Sequence, residues 1–250
     1  MSEHTSTYQR LLEQIESGEG QISPIILDSL LDEGLISEEE RNNIGSRLYY
    51  LTWPRAQEAS TDSLTGLGNR RLFDCELARA FEKILGQRRA DAPRAVLLAI
   101  ADLNYLKWFN DQFGHQIGDK VIKAVARKIR LSLRKGDVVA RWGGDEFGII
   151  VLCSSIEIAT TIGNRLVNEI KNIPFILESK DIAPNRLIGL KEQQAEIEFQ
   201  VGTDNICFEI KVAAGYAVLD REKAAHISPE KLIDLADQRM LESKDKIKKK

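Results

Sequence analysis

Three acidic residues stand where short apolar runs stop. Asp102 ends the run Ala95-Val96-Leu97-Leu98-Ala99-Ile100-Ala101, and Asp145-Glu146 follow Gly143-Gly144 between Val138–Trp142 and Phe147–Leu152. Hard oxygen ligands at strand ends suit Mg²⁺, which keeps positions open for phosphate oxygens. Any one of these acids alone reads as a solvated turn residue. Strand pairing that brings them within one cation's coordination radius is what would give them a joint role. Between them lie Lys107, Asn110-Asp111, Gly114-His115 and Gly118-Asp119. Asn and Asp side chains can together read a guanine edge through its O6 acceptor and its N1 and N2 donors. Gly114 and Gly118 allow close backbone approach, and His115 by itself reads as a structural, hydrogen-bonding histidine.

The elements that must position these groups follow from periodicity. The run ending at Asp102 is predicted to be a buried central strand. Residues 104–113 fit a helical turn, and a second helix is expected from near Gly118, with Val121, Ile122, Val125, Ala126 and Ile129 on one face. Val138–Trp142 and Phe147–Leu152 form a hairpin whose glycines supply backbone freedom. A helix over 156–171 follows. The pattern is lost from Pro174 to Gln194, then Ile197–Val201 and Ile206–Val212 make a second hairpin. Ser228-Pro229 opens a last helix. Thr61–Arg71 reads as a loop, and its Gly66-Leu67-Gly68 is not a dinucleotide fingerprint, since no strand precedes it and no third glycine follows. The order implies an α+β fold, a largely antiparallel sheet with helices on one face.

In front of this unit, residues 1–60 read as a small helical segment. One helix is expected through Leu11, Leu12 and Ile15, one from Ser23-Pro24 to Gly34, and one opened by the capping box Ser37/Glu40. The chain has 250 residues and a net charge of −3, with 43% apolar and 29% charged residues, an ordinary globular composition. No stretch approaches the ~18 apolar residues of a membrane span. The polar start has no secretory character, and Cys75, Cys153 and Cys207 form neither a disulfide framework nor a zinc cluster, so a cytoplasmic setting is expected. Residues 1–60 carry eleven acidic and four basic side chains, which argues against nucleic acid as a partner. The remainder is net positive and better suited to a phosphate-bearing ligand.

Three blocks together, DSLTGLGNRR (62–71), DLNYLKWFNDQFGHQIGD (102–119) and RWGGDEF (141–147), resemble the signature segments of the GGDEF family, the bacterial diguanylate cyclases. The resemblance covers roughly residues 60–248. It implies a palm, nucleotidyl-cyclase-like (ferredoxin-like) antiparallel sheet flanked by helices over 61–250, with 1–60 as a regulatory or dimerising segment. It implies condensation of two GTP into cyclic di-GMP with release of pyrophosphate. Asp102, Asp145 and the Leu103 carbonyl would hold Mg²⁺ (or Mn²⁺), and Glu146 would act at the metal or help deprotonate the ribose 3′-hydroxyl. Asn110 and Asp119 would recognise guanine, with His115 nearby in the same block. Lys107 would steady the triphosphate, Lys244 would meet phosphate, and Lys248 would stand in for a phosphate-binding arginine. Since each chain holds one GTP, a two-fold homodimer is implied.

Arg134-Lys135-Gly136-Asp137 is separated from Gly143 by five residues, the placement of the family's RxxD product-inhibition site, with Arg165 as a candidate third member. Arginine can fork onto guanine O6 and N7. The chain departs from the family pattern at Asn104, where many members have a second aspartate, and at Leu241, where an aromatic is usual. Two rival readings are a non-catalytic cyclic di-GMP receptor using the RxxD site and a cyclase of altered base choice.

Overall fold

The computed structural model describes residues 9–10, 30–37, 60–86, 93–178, 180, 197–224 and 226–248. The chain divides into two compact units, Met1–Ala59 and Ser60–Lys250. In the first, residues 30–32 are helical and Gly34 ends the helix at φ +69°, with the Leu35 amide donating to the Leu30 carbonyl at 2.9 Å. A left-handed residue here lets the amides just beyond it satisfy carbonyls of the last turn. The helices expected through Leu11–Ile15 and from Ser37 lie outside the described residues.

The second unit runs β1 (Gly68–Asn69), α1 (Arg70–Gly86), β2 (Ala95–Leu103), α2 (Leu106–Phe113), α3 (His115–Leu131), β3 (Val138–Arg141), β4 (Glu146–Cys153), α4 (Ile156–Ile170), β5 (Asn172–Glu178), β6 (Phe199–Val201), β7 (Asn205–Asp220), α5 (Arg221–Ala224) and α6 (Pro229–Lys248). The strands form one sheet in the order β1-β3-β4-β2-β7-β5, with β6 also paired to β7. Every pairing is antiparallel except β1 with β3.

Helices cover both faces, where element order alone suggested one. All nine residues of β2 are buried. Its even positions Val96, Leu98 and Ile100 pack with Phe73 and Leu77 of α1 and with Leu232, Ala236 and Met240 of α6. Its odd positions Leu97, Ala99 and Ala101 pack with Val121 and Val125 of α3 and Leu166 of α4. An unbroken apolar strand is what two covered faces require.

Three further differences have physical causes. The stretch read as patternless contains β5, whose Ile173, Phe175 and Leu177 point inward while the alternate residues face out. Strand β7 does not stop at Val212 but continues to Asp220, and its second half is β2's neighbour. Helix α3 begins at His115 rather than near Gly118. Between β2 and α2, Tyr105 takes φ +63°, and Gly114 joins α2 to α3 at φ +85°. Around α2, Trp108, Phe109 and Phe113 stack edge-on with Phe208 of β7, and Phe109 also meets Phe175 of β5 at 6.2 Å.

Candidate active site

The pairing of β2 with β4 sets Asp102 opposite Glu146. The Leu103 amide donates to the Asp145 carbonyl at 2.9 Å, so the strand end and the turn are locked together at this level. The turn closes with the Trp142 and Gly143 amides donating to the Glu146 carbonyl at 2.8 and 3.3 Å. Neither Gly143 nor Gly144 adopts the left-handed region, so the expected conformational role of the glycines does not apply. Gly143 serves instead as a gap: a Cβ there would lie 2.5 Å from Glu146 Oε2.

Asp102 is buried, 4% exposed, and its Oδ2 accepts a hydrogen bond from Lys244 Nζ at 2.7 Å. A charge removed from water needs such a partner. Lys244 thus reaches from α6 onto the aspartate. Burial, then the charges of Asp102, Asp145 and Asp237, push the Glu146 carboxyl above the ordinary glutamate range, while Lys244 pulls it down. Such crowding of negative charge favours positive charge nearby, which Lys244 supplies in part. Among the described residues no three His, Cys, Asp or Glu side chains converge tightly enough to hold a metal ion by themselves. The donors available are carboxylates and main-chain oxygens, which fits Mg²⁺ sharing its remaining positions with phosphate oxygens and water.

Two residues that the sequence reading passed over hold this turn. Arg141 donates from Nε and Nη2 to the Gly144 carbonyl at 3.1 and 2.7 Å and pairs through Nη1 with Asp62 Oδ2 at 3.3 Å. Asp62 Oδ1 accepts from the Thr65 amide and hydroxyl at 2.8 and 2.6 Å. Burial raises the Asp62 carboxyl, but Thr65 and the Arg141 charge together hold it below the usual range. The 62–71 segment is therefore no free loop. It pairs β1 with β3, and its Arg70 guanidinium lies 4.9 Å from the Trp142 ring centroid. Arg141 and Asp62 both lie within the quoted blocks, so the signal was present although their pairing was not.

On α2 and α3, Lys107, His115 and Asp119 are exposed, and Asn110 is half-buried against Gly118. Asn104 is buried and its Nδ2 donates to the Lys211 carbonyl at 3.3 Å. Lys248 is the last residue of α6, and its side chain lies outside what the structure describes. At the start of β3, the Arg134 amide donates to Asp137 Oδ2 at 2.9 Å and the guanidinium stands 3.7 Å from Oδ1. Arg165 Nη2 donates to the Ser132 carbonyl at 3.3 Å, two residues from Arg134. Beside this turn is a cavity of about 300 Å³ whose lining includes Arg134, Asp137, Ile150 and Leu152 together with Glu76 and Lys83 of α1. The structure thus makes two groupings, the acids with Lys244 and the arginines with Asp137.

A helix-flanked antiparallel sheet with carboxylates at the end of its central strand and in the adjoining turn is the palm-like architecture of nucleotidyl cyclases. Known proteins carry the assignment further. The family described as "Diguanylate cyclase, GGDEF domain" matches residues 59–190, and the chain belongs to this GGDEF family. It is similar to diguanylate cyclase DgcP of Pseudomonas aeruginosa, 37% identical over 51% of this chain and 18% of that one. Probable diguanylate cyclase DgcJ of Escherichia coli is 35% identical over 54% of this chain and 24% of its own length. The chain thus spans less than a quarter of either relative. Among solved structures, the GGDEF domain of DgcB from Caulobacter crescentus in complex with c-di-GMP superposes with a TM-score of 0.54 at 27% identity, covering 75% of this chain and 89% of that one. The GGDEF domain of PA1120 (TpbB or YfiN) from P. aeruginosa gives 0.54 at 26% identity, covering 74% and 89%. Among the described residues no helix is long and apolar enough to cross a membrane.

Proposed function

We propose that this chain condenses two GTP into cyclic di-GMP with release of pyrophosphate, each protomer of a homodimer presenting one GTP to the other. The observation that carries the reading is the placement of Asp102 across from Glu146, with Asp145 in the same turn and a surplus of negative charge. Asp102, Asp145 and the Leu103 carbonyl would hold Mg²⁺ or Mn²⁺, which when bound supplies charge neutralisation at the α-phosphoryl group. Glu146, whose affinity for a proton is raised by its neighbours, accepts the proton of the ribose 3′-hydroxyl; a carboxylate of raised pKa is the stronger base. Lys107 and Lys244 bring positive charge to the triphosphate, with Lys248 further along α6. Asn110 and Asp119 read the base. Attack at the α-phosphorus forms the new 3′–5′ ester and expels pyrophosphate, and the second half-reaction repeats it with the roles of the protomers exchanged.

Arg134, Asp137 and Arg165 form a separate product site that lowers activity as cyclic di-GMP accumulates. Its support is the neighbouring cavity and the exposed guanidinium, 68% accessible at its side chain. The test is incubation of the full chain with GTP and Mg²⁺ and identification of the product by mass. Cyclic di-GMP is expected, with Glu146→Gln slowing turnover about a thousandfold in a folded protein. Absence of product at high protein concentration, with cyclic di-GMP still binding, would replace the enzyme by a receptor.

A further inference from the structure

Gly118 occupies a position where a glycine is costly. It is the fourth residue of α3, it is buried, and its φ lies outside the left-handed region. Nothing in its backbone conformation calls for glycine, and inside a helix glycine costs about 1 kcal/mol relative to alanine. Gly114 differs, since its φ of +85° makes the bend between α2 and α3. That bend is tied by the Gly114 amide donating to the Asn110 carbonyl at 2.8 Å and the Gly118 amide donating to the Gly114 carbonyl at 3.3 Å. It folds the first turn of α3 back onto Asn110.

The reason for Gly118 is space. A Cβ on it would overlap Asn110 Oδ1 and lie 2.9 Å from Asn110 Cγ, while Asn110 Nδ2 would stand 3.5 Å away. The carboxamide of Asn110 therefore lies in the volume that a side chain at 118 would fill, its oxygen nearer Gly118 than its NH₂. The next residue, Asp119, is exposed. Were the Asn110 NH₂ to donate to a base and the Asp119 carboxylate, on the residue after Gly118, to accept from it, the order would match guanine, which offers O6 as acceptor next to N1–H as donor. Adenine offers the reverse, an N6 amino donor next to an N1 acceptor.

We propose that Gly118 is a specificity-determining positioning residue: it leaves the recess that fixes the orientation of the Asn110 amide, and so selects guanine over adenine without touching the base. This rests on the reading of Asn110 and Asp119 as the base-reading pair. Gly143, which leaves room for the Glu146 carboxylate, is the same device at the acidic turn.

The test measures binding of the non-cleavable α,β-methylene analogues of GTP and ATP to the full chain by calorimetry. It compares the natural protein with Asn110→Ala, Gly118→Ala and the double variant, circular dichroism confirming the fold of each. Gly118→Ala is expected to lose the guanine-over-adenine preference about tenfold, the worth of roughly one hydrogen bond. Asn110→Ala should lose it equally, and the double variant no further. A folded Gly118→Ala that keeps the full preference while Asn110→Ala loses it would overturn the proposal and leave the base-reading pair standing. Retention of the preference by Asn110→Ala would overturn both. Where Gly118→Ala does not fold, the double variant decides by its fold: recovery of the native circular dichroism once the Asn110 amide is removed supports the recess, and a double variant as unfolded as Gly118→Ala refutes it.

Discussion

Strand β3 has four residues, roughly 13 Å of chain, and the two ends of it lead into opposite electrostatic settings. Beyond its last residue lies the acidic turn, where Asp102, Asp145 and Asp237 crowd Glu146 and Lys244 supplies the opposing charge. Before its first residue lies the Arg134–Asp137 turn, where the guanidinium is open to water and the acid accepts from the turn's own backbone. The acidic end gathers several carboxylates around one ammonium, that of Lys244 on the buried Asp102, so added positive charge is expected to stabilise it. The arginine end pairs its charges within four residues and keeps one of them hydrated, so its charge costs the fold little.

The contrast is broken or sharpened first at Lys244. Lys244→Ala leaves the buried Asp102 without its ammonium partner and is expected to cost about 3 kcal/mol in urea unfolding. Millimolar Mg²⁺ should raise the melting temperature of this variant more than that of the natural chain. An equal response would remove the reading of this end as cation-seeking. At the other end, Arg134→Ala should change stability by no more than about 0.5 kcal/mol, while calorimetry shows cyclic di-GMP affinity lowered at least about tenfold and GTP turnover retained. A stability loss rivalling that of Lys244→Ala would erase the distinction. The smallest effect concerns what holds the acidic turn. Asp62→Asn weakens the pairing with Arg141 and should cost about 1 kcal/mol at pH 7. Since the carboxyl of Asp62 is depressed in the folded state, its contribution is complete above the unfolded value near 3.9 and disappears as pH falls through the lower folded value. The gap between variant and natural chain in urea midpoints should therefore close below about pH 4, and a gap independent of pH would show that the ionised form is not what matters.

Much of the site was legible because its carriers are local. An unbroken apolar run ending in Asp102, a glycine-marked hairpin and the Ser228 cap, which accepts from the Lys231 amide at 3.3 Å, each declare themselves within a few residues. The second half of β7 did not. Ala213-Ala214-Gly215 has little strand preference of its own, and Gly215 is small because α6 packs close: a Cβ on it would lie 2.5 Å from the Ala236 carbonyl oxygen. That constraint belongs to tertiary contact. In β5 the inward alternation was present, but Pro174 interrupts the reading of a strand. At α3 a helical glycine looked like a boundary because its reason, the Asn110 side chain, comes from another helix. The roles of Asp237 and of Lys244 toward Asp102 likewise arise only once α6 is laid across the sheet.

The helix bearing Lys107 and Asn110 has eight residues, too few to persist in water unaided, and Tyr105 and Gly114 close it off at both ends with positive-φ backbone. Its order must come from outside, through the ring of aromatics it shares with β5 and β7. The proposed nucleotide-reading helix is thus moored to Phe208, a residue nearly a hundred positions away in sequence. If that helix reads the base as proposed, slackening this anchorage would blur discrimination while leaving the acidic turn intact.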